Sequence, residues 1–187
     1  MNKYFYAVAL VLSAAVLSGC ATVADNYVSP TEGPRSKARF VNMQWYGYLE
    51  IHKYDDPGCS IFKTTRMFTL FPPRGRKSDA LHVSLGMPFN TYEAPQYREV
   101  YLPTQEPLVL FANGYDGVIT GASQVHFHYP FQAGHEYEIK YTPISPQGAE
   151  ITLSEIQYEN NVPKMVELKK YPSDWLGSLK DQEGCAS

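Results

Sequence analysis

The stretch Gln124-Val125-His126-Phe127-His128-Tyr129-Pro130-Phe131-Gln132-Ala133-Gly134-His135-Glu136-Tyr137-Glu138-Ile139-Lys140-Tyr141 alternates apolar and polar residues on both sides of a turn-forming Gln132-Ala133-Gly134. Side chains of a strand point alternately to its two faces, so a period of two marks a half-buried strand. Val125, Phe127, Tyr129 and Phe131 form one apolar face, and Tyr137, Ile139 and Tyr141 another. A three-residue loop predicts an antiparallel hairpin that sets Phe127 against Ile139 and Tyr129 against Tyr137. On the opposite face His128 falls against Glu138 and His126 against Lys140.

The same period appears elsewhere. Arg39–Met43 and Tyr48–Tyr54 read as two strands around a turn at Tyr46-Gly47, and Asp55-Asp56-Pro57-Gly58 as a turn. Further strands are expected near Met67–Phe71, Leu81–Leu85, Tyr97–Leu102, Pro107–Phe111, Ala149–Leu153 and Val162–Leu168. Asn113-Gly114 and Asp116-Gly117 read as tight turns. Only the tail has a helical pattern, with Ser173 as a cap for Asp174–Lys180. Short strands punctuated by turns predict an all-β fold: a single antiparallel β-sandwich, immunoglobulin-like, with a short C-terminal helix. An open β-barrel is the alternative.

Composition supports this. The chain has 187 residues, 44% hydrophobic and 14% aromatic, with 15 Tyr, 13 Gly and 14 Pro. That suffices for one packed domain. A formal net charge of −3 argues against nucleic acid as a partner, because phosphate binding calls for a basic surface.

The N-terminus carries a second message. Lys3 precedes the 14-residue apolar run Tyr4–Leu17, shorter than the ~20 residues a spanning helix needs. The run ends in Leu17-Ser18-Gly19-Cys20. This resembles the lipobox of bacterial lipoproteins. The resemblance implies that residues 1–19 are a signal peptide, that the Cys20 thiol carries diacylglycerol, and that its new amino group is acylated, commonly by palmitate. Ala21 stands where an Asp would hold such a protein at the inner membrane, which implies an outer-membrane anchor with the body facing the periplasm. Without Lys3 the chain has 15 basic and 19 acidic residues, or −4, a body repelled by anionic lipid. Residues 20–38 read as a lipidated flexible tether, 39–170 as the sandwich and 171–187 as a tail.

Candidate chemistry is sparse. Cys59 and Cys185 are left in an oxidising compartment, and are expected to form one disulfide. His126 and His128 share a strand face, and with Glu138 opposite they are weak candidates for a metal site against the plainer reading of a solvated sheet face. Arg74, Arg76 and Lys77 cluster in a Pro/Gly loop, a candidate interaction loop for lipopolysaccharide phosphate, peptidoglycan carboxylate or an acidic protein. Ser84 and Ser123 lack the G-x-S-x-G context of a hydrolase nucleophile, and Asp55-Asp56 belongs to a turn. No phosphate-binding glycine loop occurs, so no cofactor is expected beyond the lipid on Cys20.

The segments Gly75–Lys77, Ser84–Pro88 and Phe131–Ile139 look like those of small β-rich outer-membrane lipoproteins of Gram-negative bacteria. That resemblance implies fold and location, and no activity. The expected role is a non-enzymatic envelope interaction or structural-support module, its partner an envelope protein or cell-wall component. A periplasmic binder or inhibitor of a cell-wall hydrolase is the alternative, and a metal-binding lipoprotein ranks behind both. An inhibitor should present one protruding loop, for which PPRGRKSD and NGYDG are the sequence's candidates.

Overall fold

The computed structural model describes residues 27–44, 47–55, 63–70, 84–88, 96–104, 108–115, 122–145 and 148–172. These form strands β1 (Arg35–Asn42), β2 (Tyr48–Tyr54), β3 (Thr64–Leu70), β4 (Gln96–Pro103), β5 (Leu108–Tyr115), β6 (Ala122–Tyr129), β7 (Glu136–Ser145), β8 (Gly148–Glu159) and β9 (Val162–Pro172), with no helix among them. Two sheets result, one ordered β4-β1-β7-β8-β9 and the other β3-β2-β5-β6. They pack face to face as a sandwich and do not close into a barrel. The expected helix after Ser173, the Asp116-Gly117 turn, Cys20, Cys59, Cys185, Arg74, Arg76 and Lys77 lie outside the described residues.

The core is built by alternation, as the sequence predicts. Ala38 and Phe40 of β1, Tyr137, Ile139 and Tyr141 of β7, and Ile151 and Leu153 of β8 face Leu49, Ile51, Phe68, Leu110, Ala112, Val125 and Phe127 of the other sheet. Fully burying one such side chain contributes about 1.5–3 kcal/mol. Edge-to-face aromatic pairs join the sheets, with Phe40–Phe68 centroids 5.1 Å apart and Tyr129–Tyr137 centroids 5.6 Å apart.

Strand pairing departs from the sequence reading. The Gln124–Tyr141 stretch is not a hairpin. β6 pairs with β5, while β7 pairs antiparallel with β8 and parallel with β1. Phe127, Tyr129, Tyr137 and Ile139 do meet in the core, but across the sandwich and not along a ladder. Alternation reports which face is buried, and is silent on whether two apolar faces share a sheet or oppose each other. Phe131, on the same apolar face of the sequence, is buried against Tyr129 and Tyr137, centroids 5.4 and 5.1 Å away, as it would be in either topology.

For the same reason β1 and β2 occupy different sheets and do not pair around Gly47, which has a φ of 84°. The parallel β1–β7 pair means that the sandwich is not wholly antiparallel. β1 is an inner strand, flanked by β4 and β7, so the strand order is also not the immunoglobulin ABED/CFG arrangement, in which the first strand lies at an edge.

Asn113-Gly114 lies within β5 and not in a turn. A Cβ on Gly114 would collide with the hydroxyl of Tyr141 and approach Gln44 Nε2 at 2.8 Å. The glycine serves close packing between the sheets. The fold also begins before residue 39. The Tyr27 amide donates to Met67 O at 3.0 Å and its hydroxyl to Tyr101 O at 2.5 Å, which joins edge strands β3 and β4. Tyr101 N donates in turn to Ser29 Oγ at 3.2 Å. Residues 27–38 of the expected tether thus belong to the body.

Candidate functional site

The expected metal candidates do not converge. His126 and His128 lie on β6, while Glu138 lies on β7 in the opposite sheet. His126 Nδ1 is 2.6 Å from the hydroxyl of Tyr54, and the two rings stack with centroids 5.8 Å apart. Burial pushes the Tyr54 phenol up to about 12, so it stays protonated and can donate to that nitrogen. The His128 carbonyl accepts from Tyr171 at 2.6 Å. Among the described residues no three His, Cys, Asp or Glu side chains are grouped to hold a metal ion.

Glu138 belongs to a charged row instead. Register aligns Glu99 of β4, Arg39 of β1 and Glu138 of β7 across three adjacent strands. Arg39 is fully buried, with 0% exposure. It donates to Glu99 Oε1 from Nε at 3.0 Å and from Nη2 at 2.6 Å, and its Nη1 lies 3.6 Å from Glu138 Oε2. A strap formed by Ser84–Pro88 crosses this outer face. Arg39 donates to the Met87 and Pro88 carbonyls, each at 2.7 Å. Glu99 Oε2 accepts from the amides of Leu85 and Met87 and from Ser84 Oγ. Gly86, with a φ of 77°, makes the bend. Ser84 and Leu85, the described end of the expected strand Leu81–Leu85, are therefore strap and not strand, because Glu99 takes the hydrogen bonds that a neighbouring strand would satisfy. Every side-chain polar atom of the Arg39–Glu99 pair is bonded to its partner or to the strap, which makes the pair a clamp on the strap.

The exposed feature is at one end of the larger sheet. β8 and β9 are joined by Asn160 and Asn161, both left-handed, with φ of 54° and 63°. This is the two-residue type I′ geometry that matches strand twist. The last β7–β8 rung is Glu136–Ile156, so residues 157–164 continue as a two-stranded hairpin beyond β7. Tyr158 and Val162 are 56% and 64% exposed on it.

A groove of about 410 Å³ lies beside this hairpin, lined by Gly134, His135, Glu136, Glu155, Ile156, Gln157 and Tyr158. Its polar groups are mutually oriented. Glu136 accepts from Lys37 Nζ at 2.7 Å and from the Tyr158 hydroxyl at 2.8 Å. Those contacts raise the Lys37 ammonium and the Tyr158 phenol above their usual values. Glu155 is bonded by Gln157 Nε2 at 2.7 Å and by His135 Nδ1, and these two bonds hold its carboxyl below the usual range.

The sequence reading found neither feature. Arg39 shares β1 with Arg35 and Lys37, so charge alone does not mark it as the buried member, whereas Asn160-Asn161 is a type I′ dipeptide between alternating runs. No protein-family model and no curated protein matches the chain.

Proposed function

We propose that the protein is an outer-membrane-anchored lipoprotein whose periplasmic body is a non-enzymatic interaction module. The observation that carries this reading is the β8–β9 hairpin with its adjoining groove, an ordered projection at one end of a two-sheet scaffold. Aromatic and aliphatic side chains held on a tight hairpin lose little entropy on binding, which suits recognition. The lipid on Cys20 supplies the anchor, and several acyl chains make membrane attachment effectively permanent. A Cys59–Cys185 disulfide belongs to the same reading, as does an interaction loop at Arg74, Arg76 and Lys77.

The projecting hairpin also favours the second reading, a binder or inhibitor of a cell-wall hydrolase that inserts this element into an enzyme cleft. The inserting element is then the Tyr158–Val162 tip. The anchoring half of the proposal is tested by metabolic labelling with a fatty-acid probe. Wild type takes up label, and Cys20→Ser takes up none and stays as the unprocessed precursor. Label that persists on Cys20→Ser refutes the anchor.

A further inference from the structure

We infer that the groove beside the β8–β9 hairpin is an open strand position that binds an extended peptide segment by strand addition. The inference rests on the interaction-module reading and names the partner's chemistry. Its basis is the alternation of the lining residues. On the larger sheet, Glu136, Ile156 and Tyr158 point to the outer face, while Glu155 and Gln157 point to the face shared with Tyr137. A depression lined by both faces of one strand lies in the plane of the sheet. That is the geometry of a missing strand, and a ligand lying on a sheet face would meet one parity only.

Hydrogen-bond direction agrees. In a two-residue hairpin the residues flanking the turn exchange both backbone bonds, here Glu159 and Val162. Alternation then turns the N–H and C=O of Tyr158 away from β9, toward the side where β7 would continue. Extending the β7–β8 register by two residues would set Gly134 against Tyr158. The chain has turned away there: Gly134 has a φ of 79° and donates its N–H to Arg35 O at 2.9 Å, on the β1 side. Among the described residues none pairs with the Tyr158 backbone on that side.

An unpaired rung of this kind is what strand addition uses, with main-chain bonds for affinity and flanking side chains for selectivity. The outer edge of β9 is a poorer template. It carries Lys164, Lys169 and Lys170, and Pro163 and Pro172 lack the donor, which are devices that blunt edges. The groove is lined by two carboxylates, Glu136 and Glu155, with Lys37 bonded to Glu136, so acidic groups outnumber ammonium groups there. A peptide bearing Lys or Arg is therefore favoured over an acidic one.

The test uses the full chain in detergent micelles and a fluorescent, end-blocked peptide of alternating Thr and Val with a central Lys. Comparison probes replace the Lys by Glu, or N-methylate alternate backbone nitrogens. Tyr158→Pro removes the N–H while sparing the β8–β9 ladder, and Tyr158→Thr keeps the N–H but removes the ring. The Lys peptide should bind wild type and Tyr158→Thr. Binding should fall by about tenfold or more with the N-methylated probe, with the Glu probe, and in Tyr158→Pro, as loss of one to two hydrogen bonds or a charge pairing implies. No binding of the Lys peptide, or equal binding of all three probes, overturns the inference. So does self-association of the full chain that Tyr158→Pro abolishes, because the occupant is then a second copy. If the peptides fail while the hairpin still contacts a partner in cells, strand addition falls and the interaction-module reading stands.

Discussion

Arg39 and Glu99 are register partners on β1 and β4, buried to 0% and 1% exposure, and besides bonding each other both bond the Ser84–Pro88 strap, which belongs to neither strand. Their attraction is offset in large part by the cost of removing both charges from water. The pair's consequence is placement: it fixes the strap across the outer face of the larger sheet.

Removing one partner should therefore cost far more than the net worth of the pair. Arg39→Ala leaves Glu99 and Glu138 buried without that cation, and should destabilise the fold by about 3–5 kcal/mol in denaturant titration. Replacing Arg39 and Glu99 together by Met and Leu should cost less than Arg39→Ala alone. A double variant that is clearly the weaker of the two would show that the strap contributes more than the ion pair.

Gly114 predicts a different kind of failure. Gly114→Ala drives a Cβ into the Tyr141 ring and should cost roughly 1–3 kcal/mol through overpacking. The added cost should shrink in a Tyr141→Leu background, since neighbours that share a clash are not additive. Equal cost in both backgrounds would contradict the close approach of the two sheets there.

The alkaline limit of stability should report the buried phenols. Burial raises Tyr27 and Tyr54 from 10.0 to about 12. A group raised on folding contributes stability that is whole below its unfolded value and is lost as pH rises through its folded value. Unfolding free energy should thus decline between about pH 10 and 12, and Tyr27→Phe should flatten that decline. An unchanged slope in Tyr27→Phe would mean that the segment Tyr27–Pro34 is not docked in solution.

Much of the architecture is legible in the chain. β2 matches its expected bounds, Tyr48–Tyr54, and β7 and β8 pair in the order the alternation implies. What period two cannot convey is sheet membership. Phe127, Phe131 and Ile139 are core residues in either topology, and only the pairing of β6 with β5 and of β7 with β8 separates a hairpin from a crossing between sheets. Asn113-Gly114 misleads because the same dipeptide suits a turn and a point of close backbone approach. The exposed end is illegible because its groove arises from where β7 stops, a property of register and not of any one residue.

On the proposed reading, the protein meets its partner at the Tyr158 end of the larger sheet. A photo-crosslinking amino acid placed at Tyr158 or Val162, in cells, tests this against the same group at Ile144, which is 64% exposed at the far end of β7. A discrete adduct is expected from Tyr158 and Val162 and none from Ile144. Adducts from Ile144 alone, or equal adducts from all three positions, would contradict it.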